Sequence, residues 1–217
     1  MKKAIKIEIE GTDGAGKSTA LKYLIEKLQG MGQKVLETRE VGSPLIPINV
    51  KLRELVLSPD SNLGGDSMEL IFAAMRLEND KHYKSVSDQY DLIVSDRGWL
   101  SHLAYTDHNV NKEFTKELYL DFLQKRTDMP DIVVYLSVDT ETALQRRIKR
   151  GSGMDVIEMK GVSFQEKVRG SFLHYLESFG KLKPETTVLI VNANEDIYGV
   201  RDQLDTIANL IVDLKNK

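Results

Sequence analysis

The sequence predicts an α/β protein in one domain, a five-stranded parallel sheet with helices on both faces and a short lid, across 217 residues. Three observations carry this. Gly11-Thr12-Asp13-Gly14-Ala15-Gly16-Lys17-Ser18 fits the phosphate-loop pattern G-x-x-x-x-G-K-[ST]. Ile5, Ile7 and Ile9 precede it as a strand, and Leu21, Leu24, Ile25 and Leu28 follow at helical spacing. Beyond it, short apolar runs alternate with longer segments of helical period, as in parallel strands joined by covering helices.

The elements follow in order. The first strand is Ile5 to Ile9, although Lys6 and Glu8 interrupt it. A central parallel strand is normally apolar on both faces, so either one face is partly wet or these side chains find partners. Thr19 to Gln29 is the first helix. Lys34 to Thr38 is the second strand, and it runs into the turn-rich Arg39-Glu40-Val41-Gly42-Ser43-Pro44. Asn49 to Leu57 is a helix ended by Ser58-Pro59. Gly64-Gly65 turns into a long helix, Ser67 to about Ser87, with Met68, Ile71, Phe72, Met75 and Asn79 along one face. Asp91 to Asp96 is the third strand, and Arg97-Gly98 turns away from it. Phe114 to Arg126 is a helix, Asp131 to Ser137 a buried strand, and Thr140 to Lys149 a helix rich in arginine near its end. Gly151-Ser152-Gly153 breaks it. Ser163 to Phe179 is a helix, Thr187 to Val191 the last strand, and Ile197 to Leu214 the closing helix. All five prolines are expected in connections.

The totals exclude several classes. A net charge of −3 argues against a general polyanion binder, so no nucleic-acid partner is expected. The absence of cysteine removes disulfides, thiolate metal sites and thiol chemistry, and fits a reducing compartment. The isoleucines near the start are interrupted by charges, so no signal-peptide run is present, and no apolar stretch reaches membrane-spanning length. A cytoplasmic location is expected.

The glycines let the loop backbone curl so that several N–H groups point at phosphate oxygens, and the helix starting near Lys17 adds its positive end. Lys17 can reach the terminal phosphates, and the Ser18 hydroxyl can ligate Mg²⁺. A nucleotide held there can be hydrolysed as a switch or motor, or can donate its phosphoryl group. Three features favour donation. Asp96 closes an apolar strand, where a carboxylate can hold Mg²⁺ opposite Ser18; strand-end aspartates also cap turns. Arg39 and Arg97 follow two strands at one edge of the sheet, where planar forks suit an acceptor phosphate; either alone reads as a solvated surface residue. Arg146, Arg147 and Arg150 lead into a glycine-flanked segment, 151–161, that reads as a lid closing cations over the transferring group. Arg146 itself reads as satisfying the negative end of its own helix.

With these residues in place, the chain resembles the thymidylate kinases nearly end to end. Glu10 through Thr19 is similar to the family's opening motif, and Thr38-Arg39-Glu40 with Gly42 to its T-R-E-P-G-G loop. Leu70-Ile71-Phe72-Ala73-Ala74 with Arg76 is similar to L-L-F-A-A-x-R. Asp96-Arg97 with Ser101, Ala104 and Tyr105 is similar to D-R-[YH]-x-x-S-x-x-A-Y-Q. Arg150, Gly151, Asp155 and Glu158 resemble the lid, and Asn192-Ala193-Asn194 stands where the family closes on adenine. The resemblance implies a P-loop nucleoside monophosphate kinase fold, ATP as phosphoryl donor, Mg²⁺, a deoxynucleoside monophosphate acceptor with dTMP first, and a homodimer formed through helices. It also implies roles. Gly11, Thr12, Asp13, Gly14, Ala15, Gly16, Lys17, Ser18 and Thr19 would hold the nucleotide, with Asn194 at its base. Asp13 would take the acceptor's 3′-hydroxyl, and Arg39 and Arg97 its phosphate. Phe72 would stack on the base, Arg76 would bond its edge, Ser101 would line the acceptor site, and Tyr105 would crowd the 2′ position. The loop carries no extra cation, so the lid must supply the catalytic arginine, Arg150 first and Arg147 second.

The departures concern the acceptor side. Val41 stands for the motif's proline, Gly98-Trp99 for the residues after Asp-Arg, Thr106 for glutamine, Val156 for a lid arginine and Met75 for a polar residue. They keep other acceptors open, such as dUMP, dGMP, a modified pyrimidine nucleotide or a nucleoside. A nucleotide-dependent switch is the alternative from a different class.

Overall fold

A computed structural model describes residues 3–108, 110, 113, 122–150 and 161–215. Five parallel strands, β1 (Ile5–Glu10), β2 (Val35–Arg39), β3 (Leu92–Asp96), β4 (Ile132–Ser137) and β5 (Thr187–Asn192), lie in the order β2-β3-β1-β4-β5. Helices α1 (Lys17–Gly30) and α7 (Ile197–Lys215) cover one face, where Leu24, Leu28, Leu204 and Ile211 pack on Ile7, Ile9 and Val134. Helices α3 (Gly65–Val86), α4 (Trp99–Thr106) and α6 (Gly161–Leu182) cover the other, where Ala73, Trp99 and Phe172 pack on Val133 and Tyr135. Helix α2 (Pro47–Leu57) lies against α3, and α5 (Thr140–Arg150) follows β4. The register sets Ile9 and Arg39 on either side of Asp96, so the loops leaving β1, β2 and β3 emerge together at the carboxyl edge. In open parallel sheets that edge is where ligands bind.

The polar alternation of β1 is resolved by partners, not by water. All three isoleucines face α1 and α7, and the opposite face is a buried ionic layer. Lys6 Nζ lies 3.2 Å from Glu8 and 3.5 Å from Glu40, and it donates to the Asp128 carbonyl at 3.1 Å. Glu8 accepts the Trp99 N–H at 2.8 Å, and Glu10 accepts the Ser101 N–H at 2.9 Å and the Ser101 hydroxyl. Two strand carboxylates thus satisfy N–H groups in the first turn of α4, where the helix dipole also favours negative charge. Burial pushes the Glu8 carboxyl up against the pull of Lys6. Burial also opposes the Lys6 charge, but Glu40 and Glu8 outweigh it and hold its ammonium above the ordinary range.

This layer explains the Gly98-Trp99 departure. A Cβ on Gly98 would overlap the Glu8 carboxylate. Trp99 is 1% exposed and packs in the core, with the Arg76 guanidinium 5.0 Å from its ring centroid. Gly98→Ala is therefore expected to destabilise the fold by about 3 kcal/mol, lowering Tm by roughly 6–12 °C. Pairing it with Glu8→Ala should cost less than the two changes summed, because the overlap disappears. Thermal melts of the three variants check this.

Several expectations need correction. No helix was expected over Trp99–Thr106; it is α4. Pro47 is the first residue of α2 and Pro59 opens a 3-10 turn, so neither sits in a plain connection. A proline at the first helical position loses only an N–H that has no helical partner anyway. Two of the departures, Trp99 and Met75, point into the core, Met75 being fully buried beside Val56 and Met68. The apolar face of α3 turns inward, with Met68, Phe72 and Met75 all buried. Most of the expected helix Phe114 to Arg126 and the lid 151–160 lie outside the described residues.

Candidate active site

The phosphate loop ends on Gly16 at φ 89°, with Gly14 at 91°. These are backbone conformations glycine adopts freely. A Cβ on Gly14 would also run into the Ala143 carbonyl of α5, so the loop can lie against α5 only with glycine there. Helix α1 starts without a side-chain cap, leaving its first N–H groups for a ligand. Lys17 is buried and donates from Nζ to the Gly11 and Thr12 carbonyls at 2.9 and 2.8 Å. Burial, together with the nearby Arg97 charge, lowers its ammonium to about 8.

Across the loop, Arg97 leaves β3 at φ 66° and turns back over the sheet edge. Its guanidinium pairs with Asp13, donates to Ser101 Oγ at 2.9 Å and to the Gly11 carbonyl at 3.3 Å, and lies 5.2 Å from the Tyr105 ring centroid. Glu10 holds Ser101, so a buried strand carboxylate orients Arg97 through one hydroxyl. Tyr105 donates to Asp13 at 3.0 Å, and Gln165 of α6 reaches the same carboxylate at 3.4 Å. Burial works against the Asp13 charge, but Arg97 and Lys17 outweigh it and hold the carboxyl at about 2, with Arg147 helping.

Both clusters open into one cavity of about 680 Å³. One end is formed by Asp13, Gly14, Gly16, Lys17, Ser18 and Thr19, with Arg146 and Arg147 of α5. The middle carries Asp96, Arg97, Ser101 and Tyr105. The far end carries Phe72 and Arg76. Arg76 is 1% exposed, with Nη1 2.7 Å from Glu40 and Nη2 donating to the Gly98 carbonyl at 3.1 Å. Its Nε is buried with no hydrogen-bond partner among the described residues.

Not every expected residue reaches the cavity. Gly11, Thr12 and Ala15 form the back of the loop. Arg39 stands beside Asp96 in the sheet but donates to the Gly42 carbonyl at 3.3 Å and is not part of the wall. Arg53 of α2 is, held by a 2.7 Å bond to the Val41 carbonyl. Asn194 lies on the loop after β5, where its side chain accepts the Asp139 N–H at 3.0 Å. Arg146 does not serve its own helix end; it donates to the Ala193 and Glu195 carbonyls at 2.8 and 3.4 Å and ties α5 to that loop. The Arg150 side chain is outside the described residues. The sequence reading missed Arg53, Glu40, Glu69 and His102. Of these, Glu69 carried a signal: it lies three residues before Phe72 and seven before Arg76, on their helical stripe.

For a metal, the observation that counts is Asp96. Its Oδ1 is buried with no hydrogen-bond partner among the described residues, in the wall shared with the exposed Ser18. Two hard oxygen donors opposite a phosphate cradle fit Mg²⁺, which keeps waters and substrate oxygens for its other positions.

The chain is also similar in sequence to known proteins. The family model described as Thymidylate kinase matches residues 9–204. The thymidylate kinase of Bacillus cereus (strain B4264) is 28% identical over 198 residues, covering 89% of this chain and 91% of its own. That of Thermosipho africanus (strain TCF52B) is 34% identical over 170 residues, 77% of this chain and 82% of its own. That of Leuconostoc mesenteroides subsp. mesenteroides is 29% identical over 221 residues, with both chains fully covered.

Proposed function

We propose that this chain, which belongs to the thymidylate kinase family, phosphorylates dTMP to dTDP with ATP inside the cavity that joins Lys17 to Arg97 and Phe72. The observation that carries this reading is that shared wall, because a switch needs no second basic pocket facing its phosphates. The loop amides and Lys17 hold the β- and γ-phosphates of ATP. Arg97 holds the acceptor phosphate; Arg39, bonded to the Gly42 carbonyl outside the wall, joins it only by turning into the cavity. An acceptor oxygen attacks the γ-phosphorus in line, the bond to the β–γ bridging oxygen breaks, and ADP leaves. Such transfer asks the protein for positioning and for positive charge more than for covalent chemistry. Arg150, with Arg147 as the alternative, supplies the cation that meets the charge spreading over the transferring group. Mg²⁺, held at Ser18 and Asp96, would neutralise the phosphate oxygens when bound. Asp13 receives the 3′-hydroxyl, Tyr105 narrows the space at the 2′ position, Phe72 stacks on the base, Arg76 bonds its edge, and Asn194 stands on the adenine side. The test is an ADP-release assay with ATP and dTMP, dUMP, dCMP, dGMP or dAMP. ADP release that depends on dTMP is expected. Hydrolysis at the same rate without any acceptor would overturn the reading.

Lys17 gives a second check. Its ammonium stands near 8 in the free protein. A bound polyphosphate favours the charged form and raises that value. ATP binding at pH 8 should therefore take up roughly half a proton, and at pH 6.5 close to none. Affinity should rise as pH falls from about 9 to 7. Calorimetry in two buffers of different ionisation enthalpy measures the uptake.

We also propose that the chain works as a cytoplasmic homodimer. No helix among the described residues is long and apolar enough to cross a membrane. Ile48 and Leu55 on α2 and Leu70 on α3 are about half exposed, and they offer an outer apolar surface for a two-fold contact. Sedimentation equilibrium decides this; a monomer at micromolar concentration would refute it.

A further inference from the structure

The far end of the cavity holds more than the ring and guanidinium discussed so far. Glu69 lines it and is 1% exposed. Its Oε2 lies 3.0 Å from the Thr106 hydroxyl, whose one proton is shared with the His102 carbonyl at 2.7 Å, and 3.6 Å from His102 Nε2. Burial, then the Arg76 charge, pushes His102 well below its usual range, so the ring is neutral near pH 7. Phe72 meets that ring edge-on, with centroids 6.4 Å apart. Glu69, Phe72 and Arg76 fall at i, i+3 and i+7 of α3, within one narrow stripe of the helix and about 10 Å from first to last. Thr106 and His102 answer them from α4. The wall therefore presents an acceptor, a ring face and a donor in that order.

We infer that Glu69 and Arg76 together read the acceptor's hydrogen-bonding edge, and that Glu69 is a specificity-determining residue for bases carrying a ring N–H beside a carbonyl. This rests on the reading of the cavity as a nucleotide acceptor site and sharpens it. A guanidinium has only donors, and a carboxylate accepts through two oxygens. A base on Phe72 satisfies both when it turns a C=O to Arg76 and an N–H to Glu69. Thymine, uracil and guanine have that pair of neighbours. Cytosine and adenine have the reverse, an amino group beside a bare ring nitrogen. In this wall they would set donor against donor and lone pair against carboxylate. A buried site whose polar groups are left facing the wrong partner discriminates strongly. Thr106, whose hydroxyl reaches Glu69, positions the carboxylate; glutamine at that place would instead offer its own amide to the base.

The test uses binding without ATP, so that it stands apart from turnover. Calorimetric Kd values are measured on the intact protein for dTMP, N3-methyl-dTMP and dCMP, and again for Glu69→Gln. The wild-type protein should bind N3-methyl-dTMP and dCMP at least about 30-fold more weakly than dTMP. Glu69→Gln can donate as well as accept, so it should shrink the dTMP-to-dCMP ratio at least about tenfold while leaving ATP affinity unchanged. An unchanged ratio, or equal wild-type binding of dTMP and N3-methyl-dTMP, would overturn the inference. Should the variant melt below the assay temperature, the wild-type comparison decides alone. Absence of dTMP-dependent ADP release with this binding pattern intact would instead count against the kinase reading.

Discussion

Replacing Lys17 by alanine is expected to lower kcat on the order of a thousandfold while the melting temperature moves by no more than about 2 °C. The kinetic loss follows from what Lys17 faces. It is the loop's only cation, and a preorganised donor aimed at developing charge is worth about 10²–10³ in kcat. The small thermal effect follows from its surroundings. The ammonium is buried and already depressed to about 8, so the fold gains little from its charge. Removing a desolvated cation relieves a burial cost, which offsets the two carbonyl bonds lost at Gly11 and Thr12. A rate near normal would remove Lys17 from the mechanism. A collapse in Tm would make it a structural strut.

Arg150→Ala is expected to lower kcat about a thousandfold and to leave the KM for dTMP within about threefold. An arginine that meets the transferring group only in the transition state affects kcat and kcat/KM together. The phosphate loop has Gly14 and Ala15 where a cation could otherwise stand, so the proposed reading draws the cation from the arginines of α5. Arg147 is the control. It lines the cavity and contributes to the field at Asp13. If Arg150→Ala changes only KM and Arg147→Ala changes kcat, the two arginines exchange roles.

The donor half of the site was legible because its chemistry is local. A loop that wraps phosphates needs glycines at fixed offsets between a strand and a helix, and Gly11 to Ser18 states this in consecutive residues. Strands β3, β4 and β5 were legible as short apolar runs, β1 as isoleucines at alternate positions, and β2 as a short stretch before a turn-rich loop. Helix α4 was not. It has eight residues, nearly all buried, so no polar face marks a period. Its start is capped from β1, more than ninety residues earlier, by Glu8 and Glu10. Lys6 and Glu8 were visible as a conflict in a central strand, but Glu8 finds its partner on α4 and Lys6 one on the loop after β2. The burial of Met75 and Trp99 was hidden in the same way. They neighbour motif residues in sequence, yet the azimuth of α3 and the opening of α4 turn them into the core. The base end of the cavity needs α3 and α4 side by side, and that placement is tertiary. Arg39 and Arg53 show the limit at the acceptor phosphate. A strand-end arginine is easy to pick out, whereas a helix arginine that folds over Gly42 onto the cavity wall is not.

The account stands on two phosphate-bearing ligands meeting within one cavity. A crystal structure of the protein with ADP and dTMP tests this most directly. The predicted result is the ADP phosphates on the loop amides and Lys17, and the dTMP phosphate on Arg97. The thymidine 3′-hydroxyl should lie on Asp13, with the base against Phe72 between Arg76 and Glu69. A dTMP bound outside this cavity, or one whose phosphate points away from Lys17, would contradict it.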